Sequence, residues 1–315
     1  MSSDAAKNPS VEVRNITKRF GEFVAVEDLS FQVSPGRIFG FLGPNGAGKT
    51  TTIRMMVGIT APDSGEIRLF GELLSPKLQD RIGYIPEERG LYKKLKVVDQ
   101  LRYFGALKGL STAEAEKRID FWLGRMGLAD WKRAKTSDLS KGMQQKIQFI
   151  AAVLHDPDLL ILDEPFSGLD PINVEFMIDV LAEFRTQSRA IIFSTHLMET
   201  AERLCDDILL INRSRKVIAG SLREVKSSYG TNRVAFRGRP ADGILKMSPL
   251  VAKVVSFADE MEIHLNEGAD PNVLLRDLVN GGAEIQKFEV IEPSLNDIFI
   301  AAVGGIDDDP SRAGR

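Results

Sequence analysis

Ile38-Phe39-Gly40-Phe41-Leu42-Gly43-Pro44-Asn45-Gly46-Ala47-Gly48-Lys49-Thr50-Thr51 decides how this chain is read. Its first five residues are continuously apolar, the pattern of a strand buried on both faces, as in a parallel sheet. From Gly43 to Thr50 it spells G-x-x-x-x-G-K-[ST] between that strand and a helix. The glycines let the backbone curl so that successive N–H groups turn toward phosphate oxygens, and the helix N-terminus adds partial positive charge. Lys49 then reaches the β and γ phosphates, the Thr50 hydroxyl binds Mg²⁺, and Pro44, Asn45, Ala47 and Thr51 complete the loop around the nucleotide. The expectation is an α/β fold with a nucleoside triphosphate at the edge of a parallel sheet.

Outward from the loop, apolar clusters of strand length recur at 159–162, 190–193 and 208–211, separated by helical stretches at 173–185 and 197–204. Shorter strands are expected at 11–13, 23–26 and 29–33. Between 91 and 155 the pattern turns helical, with a helix at 97–107 and another opened by Ser111-Thr112-Ala113-Glu114, a capping-box spacing. Past the polar Ser227-Ser228-Tyr229-Gly230 the pattern restarts. Strand 233–237, helix 242–247, strands 251–257 and 261–265, helix 271–279 and strand 285–290 spell βαββαβ, the ferredoxin-like order. A helix at 294–303 follows. The chain is therefore expected to divide into a disordered lead (1–10), a nucleotide-binding domain (11–229), an accessory α+β domain (230–303) and a flexible acidic tail (304–315).

Composition limits the function. With 315 residues, 43% hydrophobic and 27% charged, the chain suits one large soluble domain and a smaller one. No apolar run approaches the roughly 20 residues of a membrane-spanning helix. One cysteine, Cys205, excludes an internal disulfide and a cysteine metal cluster, in keeping with a reducing cytosol. From Thr231 onward there are 9 Lys+Arg against 14 Asp+Glu, and before it 32 against 30, so neither part carries the concentrated basic field of a nucleic-acid binder.

Two further clusters carry chemistry. The apolar 159–162 segment runs into Asp163-Glu164-Pro165, and because neighbouring strand residues point to opposite sides the two carboxylates have different tasks. Asp163 is the candidate partner of Mg²⁺ and Glu164 the candidate general base toward an attacking water. His196 ends Ile191-Ile192-Phe193-Ser194-Thr195-His196, at the strand edge where ligands collect in open α/β sheets, and can donate to a γ-phosphate. His155, beside Asp156-Pro157, and His264 carry no such context.

Taken together these motifs resemble the ATP-binding subunits of ABC transporters over about 11–228. Leu139-Ser140-Lys141-Gly142-Met143 is similar to the family signature, Ser167-Gly168-Leu169-Asp170 to its D-loop, and His196 to its switch histidine. Phe20, in Thr17-Lys18-Arg19-Phe20-Gly21, is similar to the aromatic that stacks on adenine. The resemblance implies a P-loop NTPase core with a helical subdomain at about 91–155 and a small antiparallel β part. It implies ATP and Mg²⁺ as cofactors, hydrolysis of ATP, Asp170 among the nucleotide-binding residues, and a head-to-tail dimer in which Ser140 and Gly142 of one copy face the nucleotide held by the other. It also implies a separate multi-span membrane permease, and a place on the cytoplasmic face of the membrane.

Two departures stand out. Lys141 and Met143 replace a Gly and the Gln of the signature, while Ser140 and Gly142 are retained. Glu87, in Ile82-Gly83-Tyr84-Ile85-Pro86-Glu87, replaces a Gln, offering oxygen to Mg²⁺ but adding negative charge near the triphosphate. These features, with Glu292-Pro293-Ser294-Leu295-Asn296-Asp297-Ile298-Phe299, resemble the sodium-export (Nat-type) branch of ABC-2 ATPases and imply an exporter. The alternative is a soluble ABC-type ATPase acting on nucleic acid or ribosomes, whose long coiled-coil insertions or paired cassettes this chain lacks.

Overall fold

In the computed structural model, residues 8–307 are described apart from 89, 186–187, 231–232, 240–242, 258 and 267. The chain forms two compact units, Met1–Leu222 and Arg223–Arg315. Its strands are β1 (Val11–Phe20), β2 (Phe23–Val33), β3 (Ile38–Leu42), β4 (Ser64–Leu69), β5 (Glu72–Leu73), β6 (Ile82–Ile85), β7 (Leu159–Asp163), β8 (Ala190–Thr195), β9 (Asp207–Asn212), β10 (Arg215–Ser221), β11 (Arg233–Arg239), β12 (Val251–Ser256), β13 (Met261–Leu265) and β14 (Glu284–Ile291). The α-helices are α1 (Lys49–Met56), α2 (Val97–Leu107), α3 (Thr112–Arg125), α4 (Lys141–Val153), α5 (Pro171–Phe184), α6 (Met198–Leu204), α7 (Leu222–Ser228), α8 (Ile244–Met247), α9 (Pro271–Asn280) and α10 (Leu295–Asp307).

The first unit is built on a six-stranded sheet in the order β10-β9-β3-β8-β7-β6. All its pairings are parallel except β9 with β10 at the edge. β3, β7 and β8 are buried along their full length, as a sheet covered on both faces requires. Phe41, Ile161 and Ile192 are fully buried in one apolar cluster, each side chain contributing roughly 1.5–3 kcal/mol of transfer free energy. A four-stranded antiparallel sheet, β2-β1-β4-β5, joins that cluster through Val11, Val13, Val26 and Ile67.

Several elements depart from the sequence expectation. The two strands anticipated at 23–26 and 29–33 are one, β2, with an irregularity at Asp28 (φ 47°) opposite another at Asn15 (φ 46°). Asn15 Nδ2 donates to Asp28 Oδ1 at 2.8 Å, closing the two bulges on each other. Strands β4, β5, β6 and β10 were not anticipated at all. Ser10, placed in the disordered lead, is buried and its N–H donates to Val33 O at 2.8 Å; residues 1–7 lie outside the described residues. Helix α3 starts as expected, with Ser111 and Glu114 capping each other reciprocally.

The second unit holds a four-stranded antiparallel sheet ordered β12-β13-β11-β14. Strand order with intervening α8 and α9 is the ferredoxin-like arrangement. Val234, Phe236, Ile263, Leu274 and Leu278 form its core. The units divide after Leu222, earlier than the linker read at 227–230. Helix α10 continues to Asp307, four residues past its expected end, and the rest of the acidic tail lies outside the described residues, as does the expected start of α8 at 242. Among the described residues, no helix is long and apolar enough to cross a membrane.

Candidate functional site

Parallel pairing brings four chain-distant segments to one edge. The ladder pairs Leu42 with Thr195, Asp163 with Ser194 and Ile85 with Leu162, so β3, β8, β7 and β6 end side by side. Beyond those ends lie the Gly43–Thr50 loop, His196, Glu164 and Glu87. This is the carboxyl edge at which open α/β sheets hold their ligands.

The loop is shaped by its glycines. Gly48 caps α1 at φ 107°, and a Cβ there would lie 2.4 Å from Ala25 O. Only glycine accepts both the backbone angle and the approach of β2. Lys49 is 6% exposed and donates to Gly43 O at 2.7 Å and Pro44 O at 3.3 Å. Its ammonium also lies 3.4 Å from Glu164 Oε1. Together Pro44, Asn45, Gly46, Gly48, Lys49, Thr50 and Thr51 line a cleft of about 370 Å³ whose remaining walls are Phe23, Ala25, Glu87 and Glu164. Thus the loop, the candidate base and the residue at the unusual Pro-Glu position share one cavity.

Glu164 occupies the left-handed region at φ 49°, a strained position for a residue with a Cβ and a feature that clusters at functional sites. Its backbone N–H donates to Ser194 Oγ at 2.9 Å, and the Ser194 hydroxyl donates to Asp163 Oδ1 at 2.6 Å. His196 Nδ1 is 3.1 Å from both carboxylate oxygens of Glu164. The carboxylate is therefore held between the Lys49 ammonium and the His196 ring, in the wall of the cleft.

Asp163 is 1% exposed. Burial pushes its carboxyl above the usual carboxylate range, opposed by the Ser194 and Thr50 hydroxyls and by Lys49, while the neighbouring Glu164 charge pushes the same way as burial. Its Oδ2 is buried with no hydrogen-bond partner. A buried acceptor without a donor fits a cation or its bound water. Among the described residues no group of three or more His, Cys, Asp and Glu could hold a metal alone.

Other residues marked in the sequence lie elsewhere. Ser140 caps α4, accepting from Met143 N at 3.3 Å, and Asp170 caps α5, accepting from Asn173 N at 3.0 Å. Gly142 lies beside Leu169 and Asn173, where a Cβ would meet Asn173 Nδ2 at 3.5 Å and Leu169 at 3.6 Å. None of these three borders the cleft, and neither does Phe20. Conversely, Ser194 and Phe23 carry geometry that the sequence reading passed over. Ser194 could have been found as the first hydroxyl after the apolar run of a buried strand, one step ahead of Thr195-His196.

Comparison with known proteins agrees with this geometry. A family model described as "ABC transporter" matches residues 26–167, and "ATP-binding protein DrrA1-3-like, C-terminal domain" matches 220–303. A third, "AAA domain, putative AbiEii toxin, Type IV TA system", matches 133–202. The uncharacterized ABC transporter ATP-binding protein YhaQ of Bacillus subtilis (strain 168) is 41% identical over 295 residues, 93% of this chain and 98% of that protein. Nod factor export ATP-binding protein I of Cupriavidus metallidurans is 34% identical over 299 residues, 93% and 97% of the two chains. A solved ATP-binding subunit of an ABC transporter superposes with a TM-score of 0.65 at 33% identity, over 70% of this chain and 93% of that one. With the loop, carboxylates and histidine assembled at one sheet edge, the chain belongs to the ATP-binding subunits of ABC transporters and is an ATP hydrolase carrying a DrrA-like C-terminal domain.

Proposed function

We propose that the chain is the motor of an export system. Two copies close head to tail over two Mg²⁺-ATP, and their opening after hydrolysis works a separate multi-span permease at the cytoplasmic face of the membrane. The observation that carries this reading is the position of Ser140, Gly142 and Asp170. They cap or flank helices outside the cleft formed by their own chain, so they act on nucleotide only when a second copy brings its cleft to them. Export is supported by the name of the Cupriavidus relative.

Within each cleft, the 43–50 backbone and Lys49 hold the β and γ phosphates. Lys49 must exchange its bonds to Gly43 O and Pro44 O for phosphate oxygens. Thr50, Glu87 and the orphaned oxygen of Asp163 would hold Mg²⁺, which when bound neutralises phosphate charge. Glu164 accepts the proton of the attacking water, and His196 fixes the orientation of that carboxylate.

The head-to-tail reading is tested by mixing two inactive variants, Lys49→Ala and Ser140→Arg. Each homodimer has both sites broken. A mixed dimer has one intact site, formed by the Ser140→Arg copy's loop and the Lys49→Ala copy's signature. Recovery of ATPase activity on mixing supports the reading; no recovery, with both variants folded, contradicts it.

A further inference from the structure

Glu164 follows the last residue of β7 with its backbone in the left-handed region, at φ 49°. A residue with a Cβ stays there only where its surroundings over-determine the conformation. Three bonds hold the turn that begins at this residue. The Glu164 N–H donates to Ser194 Oγ at 2.9 Å, and the Ser167 N–H donates to Glu164 O at 3.1 Å. The third arrives from a helix rather than from the sheet or the turn itself: Gln145 Nε2 donates to Pro165 O at 3.0 Å.

That third bond has a particular place in the turn. Pro165 has no N–H, so its carbonyl is the one backbone group by which the residue can be tied. Pro165 is buried and Gln145 is 8% exposed, so water does not compete for either group. The next residue, Phe166, is anchored by its own ring, 2% exposed and edge-on to Phe193 at 5.7 Å. With Ser194 fixing the Glu164 N–H and Phe166 fixing the far side, the Gln145 bond sets the plane of the peptide between them. Gln145 stands in the second turn of α4, the helix capped by Ser140 and containing Gly142. A single bond therefore joins the signature helix to the turn that carries the candidate base.

We propose that Gln145 is a positioning residue for hydrolysis. By holding Pro165 O from α4, it keeps the strained turn, and with it the Glu164 carboxylate, in the orientation that meets the attacking water. Gln145 does not border the cleft, so its effect falls on the chemical step and not on nucleotide binding. The proposal rests on the reading of Glu164 as the general base.

The test uses the full chain, with turnover from steady-state ATPase assays and affinity from calorimetric titration of Mg²⁺-ADP. Gln145→Met is close in size and removes the donor. Its turnover is expected to fall by about tenfold or more while Mg²⁺-ADP affinity stays within about twofold of the wild type. Gln145→Glu places a carboxyl at the same reach, and burial raises its titration above the usual carboxylate range. Ionised at about pH 8 it cannot donate to Pro165 O, whereas protonated at about pH 6 its O–H does. Relative to the wild type at the same pH, Gln145→Glu is expected to regain about threefold or more in turnover over that range, and Gln145→Met to keep a constant deficit. Wild-type turnover in Gln145→Met overturns the proposal, as does a Gln145→Glu deficit that is the same at both pH values. A loss of ADP affinity as large as the loss of turnover also overturns it, because the bond would then be supporting the whole site. Should Gln145→Met fail to fold, the pH comparison in Gln145→Glu decides. Glu164→Gln is assayed beside them: wild-type hydrolysis there removes the base reading itself, whereas its inactivity beside a normal Gln145→Met removes this proposal alone.

Discussion

The Ser194 hydroxyl donates to Asp163 Oδ1 at 2.6 Å across the β7–β8 ladder, and its oxygen also accepts from the backbone N–H of Glu164 at 2.9 Å. One buried side chain thereby fixes both carboxylate positions at the end of β7. The register that pairs Asp163 with Ser194 makes this possible.

Removing that hydroxyl leaves a buried carboxylate oxygen and a buried N–H without their partner. Ser194→Ala is expected to cost about 1–3 kcal/mol of stability, the penalty for unsatisfied buried groups. Turnover is expected to fall by about tenfold or more, because displacement of a reacting group by ~1 Å costs up to ~10²-fold. Urea unfolding and steady-state ATPase assays measure the two. Wild-type values in both would show that the bond does not position Glu164.

Gly48→Ala tests the shape of the loop. The added methyl would lie 2.4 Å from Ala25 O, on a backbone at φ 107°. Strain at such a position costs about 1–3 kcal/mol, and the loop relieves it only by moving its N–H groups off the phosphates. The variant is expected to lose the thermal stabilisation that ATP gives the wild type, about 2.7 kcal/mol at a hundredfold excess over Kd. An unchanged ATP-induced shift in melting temperature would contradict this.

His155 sets an acid limit on stability. Burial pushes its imidazole down from 6.5 to about 4, with Lys108 adding to the shift and the Ile82 carbonyl, 3.0 Å from Nε2, opposing it. Because the folded-state value is depressed, its contribution is present above pH 6.5 and is lost as pH falls through about 4. After discounting for its partial exposure, that loss is on the order of 2 kcal/mol. His155→Gln is expected to flatten the fall in urea midpoint between pH 7 and pH 4.5. A variant with the wild-type slope would place the acid sensitivity elsewhere.

The parts of the fold that were legible in the sequence are those where a single local pattern suffices. Continuous apolar runs marked β3, β7, β8 and β9, and the Ser111/Glu114 capping box marked the start of α3. What escaped depends on partners far along the chain. Ser64-Gly65-Glu66-Ile67-Arg68-Leu69 buries only Ile67 and Leu69, and becomes β4 through its ladder with β1. Asn15 and Asp28 read as breaks because each is irregular alone, although together they form one cross-strand contact. At the site, the loop, Asp163, Glu164, Glu87 and His196 were marked by type and order, and the structure brings them to one edge. Phe23 and Ser194 were not, since only the register shows which strand residues face the cleft or meet a carboxylate.

The central claim, that ATP closes two copies and Glu164 opens them by hydrolysis, is tested most directly by light scattering of the Glu164→Gln chain with and without Mg²⁺-ATP. The expected result is the mass of one chain without nucleotide and twice that mass with ATP, with turnover reduced by about 10²-fold or more. A Glu164→Gln chain that stays single with ATP bound, or that hydrolyses ATP at the wild-type rate, would contradict the account.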